Sequence, residues 1–439
     1  MLPTEENNAL EKEGSHMPRQ WMFLAALVAF FLVAAYFFPG QAYGRSSPAA
    51  RPIRIGVMAA LSGVGAASGT DMINGWKLYW QQHGASIDGH PVQMFYEDDA
   101  GDPNTALTKA RLLVTGHHVD MLVGNLFAST GLAVAHYVKG TGTPYFIPVA
   151  SADNLTQRER IPNVVRIAGW SSSQTTHVLG LWAAQQHYKT VVTIAQDYAF
   201  GWESTGGFVQ TFTQHGGKVI EQMWNPIGTP DFSSYMARIQ SDRPDLVFTT
   251  ETGADSVRFV TQWNSFGLKN TIPLVGQEPL LDQSLLRTMS PAAALGLISA
   301  GHYCDGRNNK DTQAFVRLYE KARGQIPSYY AAAMYTAAEW LATAMTQLHG
   351  NVTNRSLFLK TVKGITLPHT PFGPEKLDEY GNPVLNVYIR KVEQRAGGKL
   401  WNVPIKTYPQ VSQFYPYNPA QYLKQPVYSR SFQGIGHHP

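Results

Sequence analysis

The sequence holds a single cysteine, Cys304, in 439 residues. An internal disulfide is thereby excluded, and there is no cysteine cluster to hold a metal. Charge is scarce as well. Asp, Glu, Lys and Arg make up 15% of the chain, and the net charge of +4 is spread without basic runs. Nucleic-acid binding needs Lys and Arg gathered on one face, so no nucleic-acid partner is expected. Signatures of catalysis are missing too: there is no GxSxG elbow, no P-loop and no HExxH pair. The chain is expected to act without a cofactor and not as an enzyme.

What the chain has in quantity is apolar and aromatic side chains. Hydrophobic residues reach 44%, and aromatics 12%, with 10 Trp and 21 Tyr. Excess rings line ligand sites or interfaces, or else fill a Tyr-rich core and tail. At this length, two or three domains are expected.

Residues 21–38, WMFLAALVAFFLVAAYFF, form an uninterrupted apolar run. Arg19 precedes it, Pro39 and Gly40 break it, and Ala42-Tyr43-Gly44 offers a small-residue cleavage site. This is the pattern of a secretory signal peptide. The run is also just long enough to span a bilayer, so residues 1–44 are read as a signal peptide or an N-terminal anchor with its leader. The acidic stretch before Met17 does not fit a signal peptide, which points to Met17 as the functional start. No cysteine follows the run, which excludes a lipid-anchored form. Residues 45–52, RSSPAARP, read as a linker.

From Ile53 onward, strand, turn and helix alternate. IRIGVMAALSG leads into a helix, PVQMFYEDD into a second and VDMLVGNL into a third, and the strand PYFIPVAS closes the series. A second block of similar rhythm begins after residue 169. Continuous apolar strands alternating with helices imply parallel sheets covered on both faces. The predicted fold class is α/β, with two doubly wound lobes. Such sheets bind ligands beyond the carboxyl ends of their strands, which draws attention to Ser62, Asp98, Ser129 and Ser151. A cleft between two lobes is a natural trap for a small molecule.

Two tempting motifs carry little. The loop Gly63-x-Gly65-x-x-Ser68-Gly69 has its third glycine displaced from a dinucleotide fingerprint. Asp98, Asp99 and Asp102 invite a metal, but Asp102-Pro103 reads as a helix N-cap with proline at the first helical position. No metal is expected.

The ordered combination of LSG (61–63), EDDAGDP (97–103), VDMLVG (119–124), PYFIPVAS (144–151), DFSSYMARIQSDRPDLVF (231–248) and GLKNTIPLVG (267–276) resembles the leucine/isoleucine/valine-binding type of solute receptor that serves ATP-driven importers. The later segments MWNPIGTPDFSSY (223–235), ALGLISAGHY (294–303), NVYIRKV (386–392) and VSQFYPYNP (411–419) resemble the branch that binds aromatic carboxylates of the benzoate kind. The resemblance implies a type I periplasmic-binding-protein fold, with three hinge crossings, near residues 168–170, 277–279 and 371–375. Lobe one is then 53–169 plus 279–372, lobe two 170–278 plus 373–430, and 431–439 a tail. From residue 402 onward the chain is read as wrapping a surface.

The resemblance also implies a monomeric, extracytoplasmic receptor that hands its ligand to membrane permease and ATPase subunits. It places Ser129, Thr130, Val149, Ala150 and Ser151 on the ligand carboxylate. A helix N-terminus at Ser129 supplies free donors in agreement, although a plain N-cap reads the same way. Tyr198 and Phe200 cover the ligand. Ser68 falls where related receptors often carry an aromatic, a loss that widens the pocket. Glu251, Gln277, Glu278 and His302 complete the expected site. Glu278 is ambiguous: facing the cleft it favours an amino acid, whose ammonium it would pair, whereas turned away or paired with an Arg or Lys at the hinge it leaves room for a simple carboxylate.

Overall fold

The computed structural model describes residues 50–434. The apolar run at 21–38, the cleavage site after Gly44 and the last five residues lie outside this range. Among the described residues no helix is long and apolar enough to cross a membrane.

The first sheet has six strands: β1 (Ile53–Ala59), β2 (Ser86–Ile87), β3 (His90–Asp98), β4 (Met121–Val123), β5 (Tyr145–Ile147) and β6 (Val164–Arg166). Their spatial order is β2-β3-β1-β4-β5-β6, and all adjacent pairs are parallel except the β2–β3 hairpin. The crossovers are carried by α1 (Ala66–His83), α2 (Pro103–Arg111) and α3 (Ala128–Thr141). Because β1 sits between β3 and β4, the winding reverses there. The crevice beyond the carboxyl ends of β1 and β4 is therefore the ligand position for this sheet. The acidic turn before α2 is explained locally. Asp102 accepts the Thr105 N–H (2.7 Å), Asp98 accepts those of Leu61 and Ala100 (both 2.8 Å), and Asp99 accepts from Asn125 Nδ2 (2.6 Å).

The second sheet runs through β7 (Thr190–Gln196), β8 (Lys218–Asn225), β9 (Leu246–Thr250), β10 (Leu274–Gln277) and β11 (Ile298–Gly301), in the order β8-β7-β9-β10-β11. Its helices are α4 (Ser172–Gln185), α5 (Ala199–Gln214), α6 (Ser233–Asp242) and α7 (Ala254–Ser265). Here the winding reverses at β7. The second crevice accordingly lies beyond the carboxyl ends of β7 and β9.

Three further helices, α8 (Lys310–Arg323), α9 (Tyr329–Gln347) and α10 (Arg355–Gly364), return to the first lobe, where α9 packs along α1. The approach is close: a side chain at Gly75 of α1 would meet the Ala331 carbonyl oxygen of α9 at 2.0 Å. The alanine-rich face of α9 buries Ala331, Ala333, Met334, Ala337, Trp340 and Leu341 against this neighbour and the core.

The division of the chain between lobes differs from the expected one. Residues 279–301 belong with lobe two, because β11 pairs parallel with β10, and Leu280, Leu281, Leu285 and Leu286 sit in that lobe's core with Phe259 and Trp263. The second passage between lobes thus follows Gly301 rather than Gln277. A strand pattern alone cannot say which sheet edge supplies a strand's partners. The third passage is carried by a long strand, β14 (Pro383–Gln394). Its start pairs with β13 (Glu375–Leu377), which in turn pairs with β12 (Thr366–Leu367), and its later part pairs antiparallel with β11.

Part of the expected C-terminal wrapping segment is also a strand. β15 (Leu400–Val411) forms a hairpin with β14. Pro404 and Pro409 disguise it in the sequence, yet an edge strand tolerates proline, and Pro404 lies at a register shift. Beyond it, Phe414, Tyr422 and Tyr428 form a small cluster. Arg158 donates to the carbonyls of Tyr422 (2.8 Å) and Gln425 (3.0 Å), and the Tyr428 hydroxyl meets His177 Nε2 at 2.7 Å.

The α1–α9 contact has a direct test. Gly75→Leu is expected to lower the unfolding free energy by about 1–3 kcal/mol, since the added side chain meets backbone rather than a movable side chain. Denaturant unfolding of the two proteins measures the difference.

Candidate functional site

The two crevices face each other and enclose a narrow cavity. It is shut tightly enough to leave room for about one water. Lobe one contributes Leu126, Ala128, Val149, Ser151, Tyr329 and Tyr330. Lobe two contributes Tyr198, Phe200, Thr252 and Pro279, and Trp170 stands at the first crossing. Among the described residues no charged side chain lines this space. The wall is mostly rings, with Trp170 centred 5.9 Å from Phe200 and 6.2 Å from Tyr329, and Tyr329 tilted against Tyr330 at 3.9 Å. Burial holds the hydroxyls of Tyr198, Tyr329 and Tyr330 above the usual phenol range, so they remain donors.

The start of α3 meets the cavity at Ala128, with Phe127 as its N-cap residue. Free N–H groups at a helix start carry partial positive charge, which suits an anion. Ser129 is half-buried beside Ala128. Thr130 is different: it is fully buried, and its hydroxyl donates to the Phe127 carbonyl at 2.8 Å. It closes the first helical turn instead of facing a ligand. In the loop after β5, Val149 and Ser151 line the cavity, whereas the Ala150 N–H is committed to the Asn125 carbonyl (3.1 Å). The Ser151 hydroxyl meets that of Ser172, at the start of α4, at 3.2 Å.

Tyr198 and Phe200 occupy the expected place, where α5 begins after β7. Tyr198 reaches across to Phe127 of the other lobe in an edge contact of 6.2 Å between ring centres. Five more expected residues, Ser68, Gln277, Glu251, Glu278 and His302, sit outside the cavity wall. Ser68 is fully buried and meets the Ser284 hydroxyl at 3.0 Å, so its small size does not widen the cavity; Tyr329 and Tyr330 supply that wall. Gln277 braces α4 against the sheet by donating to the Ser172 carbonyl (2.8 Å) and accepting from Thr250 (3.1 Å). Glu251 lies behind Thr252 and accepts from Asn225 at 3.1 Å. Burial raises its pKa well above the usual carboxylate value, which disfavours its charged form.

Glu278 is the fourth, and its surroundings settle its orientation. The carboxylate is fully buried. Oε1 accepts from Arg390 Nη1 (2.9 Å) and the Tyr303 N–H (2.9 Å), while Oε2 meets His302 Nδ1 (2.6 Å) and accepts the His302 N–H (3.1 Å). Every lone pair of consequence is spoken for, so no carboxylate is left to meet an ammonium in the cavity. Burial alone would raise the Glu278 pKa, but the charges of His302 and Arg390 outweigh it and hold it below the usual value. His302 is packed behind the wall, stacked on Phe372 at 4.3 Å and edge-on to Trp170 at 6.2 Å. Cys304 is buried, with its thiol pKa pushed up by that burial.

Sequence reasoning missed Trp170, Thr252, Pro279, Tyr329 and Tyr330. Trp170 had a signal, since it ends the segment that crosses between lobes. Tyr329 and Tyr330 open a helix whose pattern reads as core.

Two doubly wound lobes shut over a ring-lined cavity without catalytic groups define a binding receptor. Residues 52–399 match the periplasmic binding protein family, and the chain belongs to it. It is a solute-binding protein of the ABC-transporter type, not an enzyme. Among curated proteins it is similar to the Leu/Ile/Val-binding protein homolog 6 of Brucella melitensis, 26% identical over 391 residues, covering 88% of this chain and 96% of the relative. Among solved structures it is similar to a solute-binding protein from R. palustris in complex with benzoate. That match has a TM-score of 0.77 and 27% identity, and covers 82% of this chain and 97% of the other. A receptor of Rhodopseudomonas palustris BisB5 in complex with 3,4-dihydroxybenzoic acid matches with a TM-score of 0.78 and 29% identity, covering 82% and 98%. A leucine-binding protein of Thermotoga maritima shares the fold, with a TM-score of 0.72 at 20% identity, covering 81% of this chain and 99% of the other.

The Glu278 arrangement makes a sharp prediction. Glu278→Gln leaves Arg390 buried without its counter-charge and is expected to cost about 3–5 kcal/mol of stability. It is not expected to change which ligand class binds. Thermal melts together with binding isotherms separate these two effects.

Proposed function

We propose that this receptor captures a single-ring aromatic carboxylate outside the cytoplasm and delivers it to the permease and ATPase subunits of an importer. The observation that carries the reading is the cavity: walled by rings, reached by a helix N-terminus, and free of charged side chains because Glu278 is neutralised by Arg390. An amino acid would leave its ammonium unpaired there, at a cost of several kcal/mol. A carboxylate finds the N–H groups of α3 and the hydroxyls of Ser129 and Ser151, while its ring finds Trp170, Tyr198, Phe200 and Tyr329. The benzoate and dihydroxybenzoate complexes of similar receptors support this ligand class.

Since the cavity is nearly filled by its own rings, access requires the lobes to part about the three passages and close again over the ligand. The lobes proposed are 53–169 with 310–372 and 170–301 with the later part of β14 and β15. The receptor is proposed to act as a monomer in the periplasm, with residues 1–44 removed or kept as an anchor.

A thermal-shift and calorimetry panel of benzoate, 4-hydroxybenzoate and leucine tests the ligand class. Aromatic acids are expected to raise the melting temperature, as any ligand of the folded state does, and leucine is expected to leave it unchanged. Ser151→Ala should weaken the aromatic acid by about 1.5–3 kcal/mol, the value of a hydrogen bond to a charged group. Binding of leucine with no response to either acid overturns the proposal. For the N-terminus, the intact mass of protein exported by its native host is expected to correspond to a chain starting near Arg45; a mass that retains residues 21–38 identifies the anchored form.

A further inference from the structure

The strip of chain between β10 and β11 belongs to lobe two, yet its polar side chains reach into lobe one. Arg287 Nη2 donates to both oxygens of Asp71 on α1, at 2.9 and 3.0 Å. Ser284 and Ser68, also on α1, share a hydrogen bond of 3.0 Å. Asp282 Oδ2 accepts the N–H of Tyr329, the first residue of α9, at 2.9 Å. Four hydrogen bonds from three residues thus join one six-residue strip of one lobe to two adjoining helices of the other. The Asp71 side chain is 1% exposed and that of Arg287 25%, so the ion pair is shielded on the carboxylate side. From its own lobe Asp71 is met by neutral groups, the Tyr319 hydroxyl (3.3 Å), Gln325 Nε2 (3.4 Å) and the side chain of Ser328. Parting the lobes removes its one cationic partner.

None of Asp71, Arg287, Ser68, Ser284 and Asp282 lines the cavity, but the strip meets the cavity wall through Tyr329. Its N–H is held by Asp282, while its ring faces the ligand space. A ligand seated against that ring steadies the same helix start onto which the strip docks. We infer that Asp71, Ser68 and the start of α9, together with Asp282, Ser284 and Arg287, form a closure latch that holds the two lobes shut and sets how long the ligand is retained. The inference rests on the proposed capture by closure, but not on the identity of the ligand. Arg287 is a positioning residue in this scheme, not a ligand contact.

The test uses the full chain with spin labels on the exposed positions Lys139 and Lys218, one in each lobe, introduced as Lys139→Cys and Lys218→Cys. Interlobe distances are measured without ligand, and release of 4-hydroxybenzoate is followed by stopped flow. Arg287→Gln is expected to shift the unliganded distances toward an open form and to speed release roughly tenfold without slowing association, because loss of one partner of a shielded pair acts on dissociation. Arg287→Lys restores most of the closed population. Ser284→Ala, a milder change that leaves the ion pair intact, shifts both readouts in the same direction by a smaller amount. A folded Arg287→Gln protein with unchanged distances and unchanged release overturns the latch; if that variant does not fold, unchanged readouts in Ser284→Ala overturn it. If 4-hydroxybenzoate does not bind the wild type but Arg287→Gln still opens the unliganded protein, the latch stands and the aromatic ligand class falls.

Discussion

The buried pair of Glu278 and Arg390 is the interaction on which the rest of the molecule depends. A charged pair taken out of water is tolerated only when its geometry is good and its remaining hydrogen-bonding groups are satisfied. Both conditions hold. Besides the carboxylate, Arg390 reaches the carbonyls of Glu278 (2.7 Å) and Tyr303 (2.6 Å) and the hydroxyl of Ser299 (2.9 Å). The network therefore pins the residue after β10 to the end of β11 and to the middle of β14. Two of the three passages between lobes start from these elements, so a rigid polar knot stands beside the hinge. With its pKa below the unfolded value, Glu278 favours folding above about pH 4.3, and that contribution is lost only as pH falls through the depressed native value.

The same knot decides the character of the cavity. Had Glu278 faced the cleft, the wall would carry a negative charge. Turned into the knot, it leaves rings, hydroxyls and a helix start. Glu251, the other acid near this edge, differs: it is buried beside Asn225, and that burial disfavours its charged form. Two acids at the ends of strands in lobe two thus stand away from the cavity wall, one paired with Arg390 and one buried beside Asn225.

Much of this was legible in the sequence, and what was legible was local. Strand and helix periods, the Asp102 cap and the position of Tyr198 and Phe200 after β7 all depend on neighbours within a few residues. The misplaced features depend on distant partners. The strand at 298–301 was readable as a strand, but its assignment to lobe two rests on pairing with β10 and β14. Ser68 stood at the expected loop, yet its hydroxyl answers to Ser284, 216 residues away. Tyr329 and Tyr330 look like core because they open a helix that is core along most of its length.

The close approach of the two lobes constrains Gly253 most tightly. Gly253 follows β9 with φ of +59°, a region that residues with side chains rarely adopt. A Cβ there would lie 2.2 Å from the Val64 carbonyl oxygen of the opposite lobe. The glycine thus serves two demands at once, the turn out of β9 and the near-contact of two backbones across the cleft. Only the first is present when the lobes are apart. The shut form is therefore built from fixed features of both lobes, namely the Gly253–Val64 approach, the Asp71–Arg287 pair and the Tyr198–Phe127 edge contact.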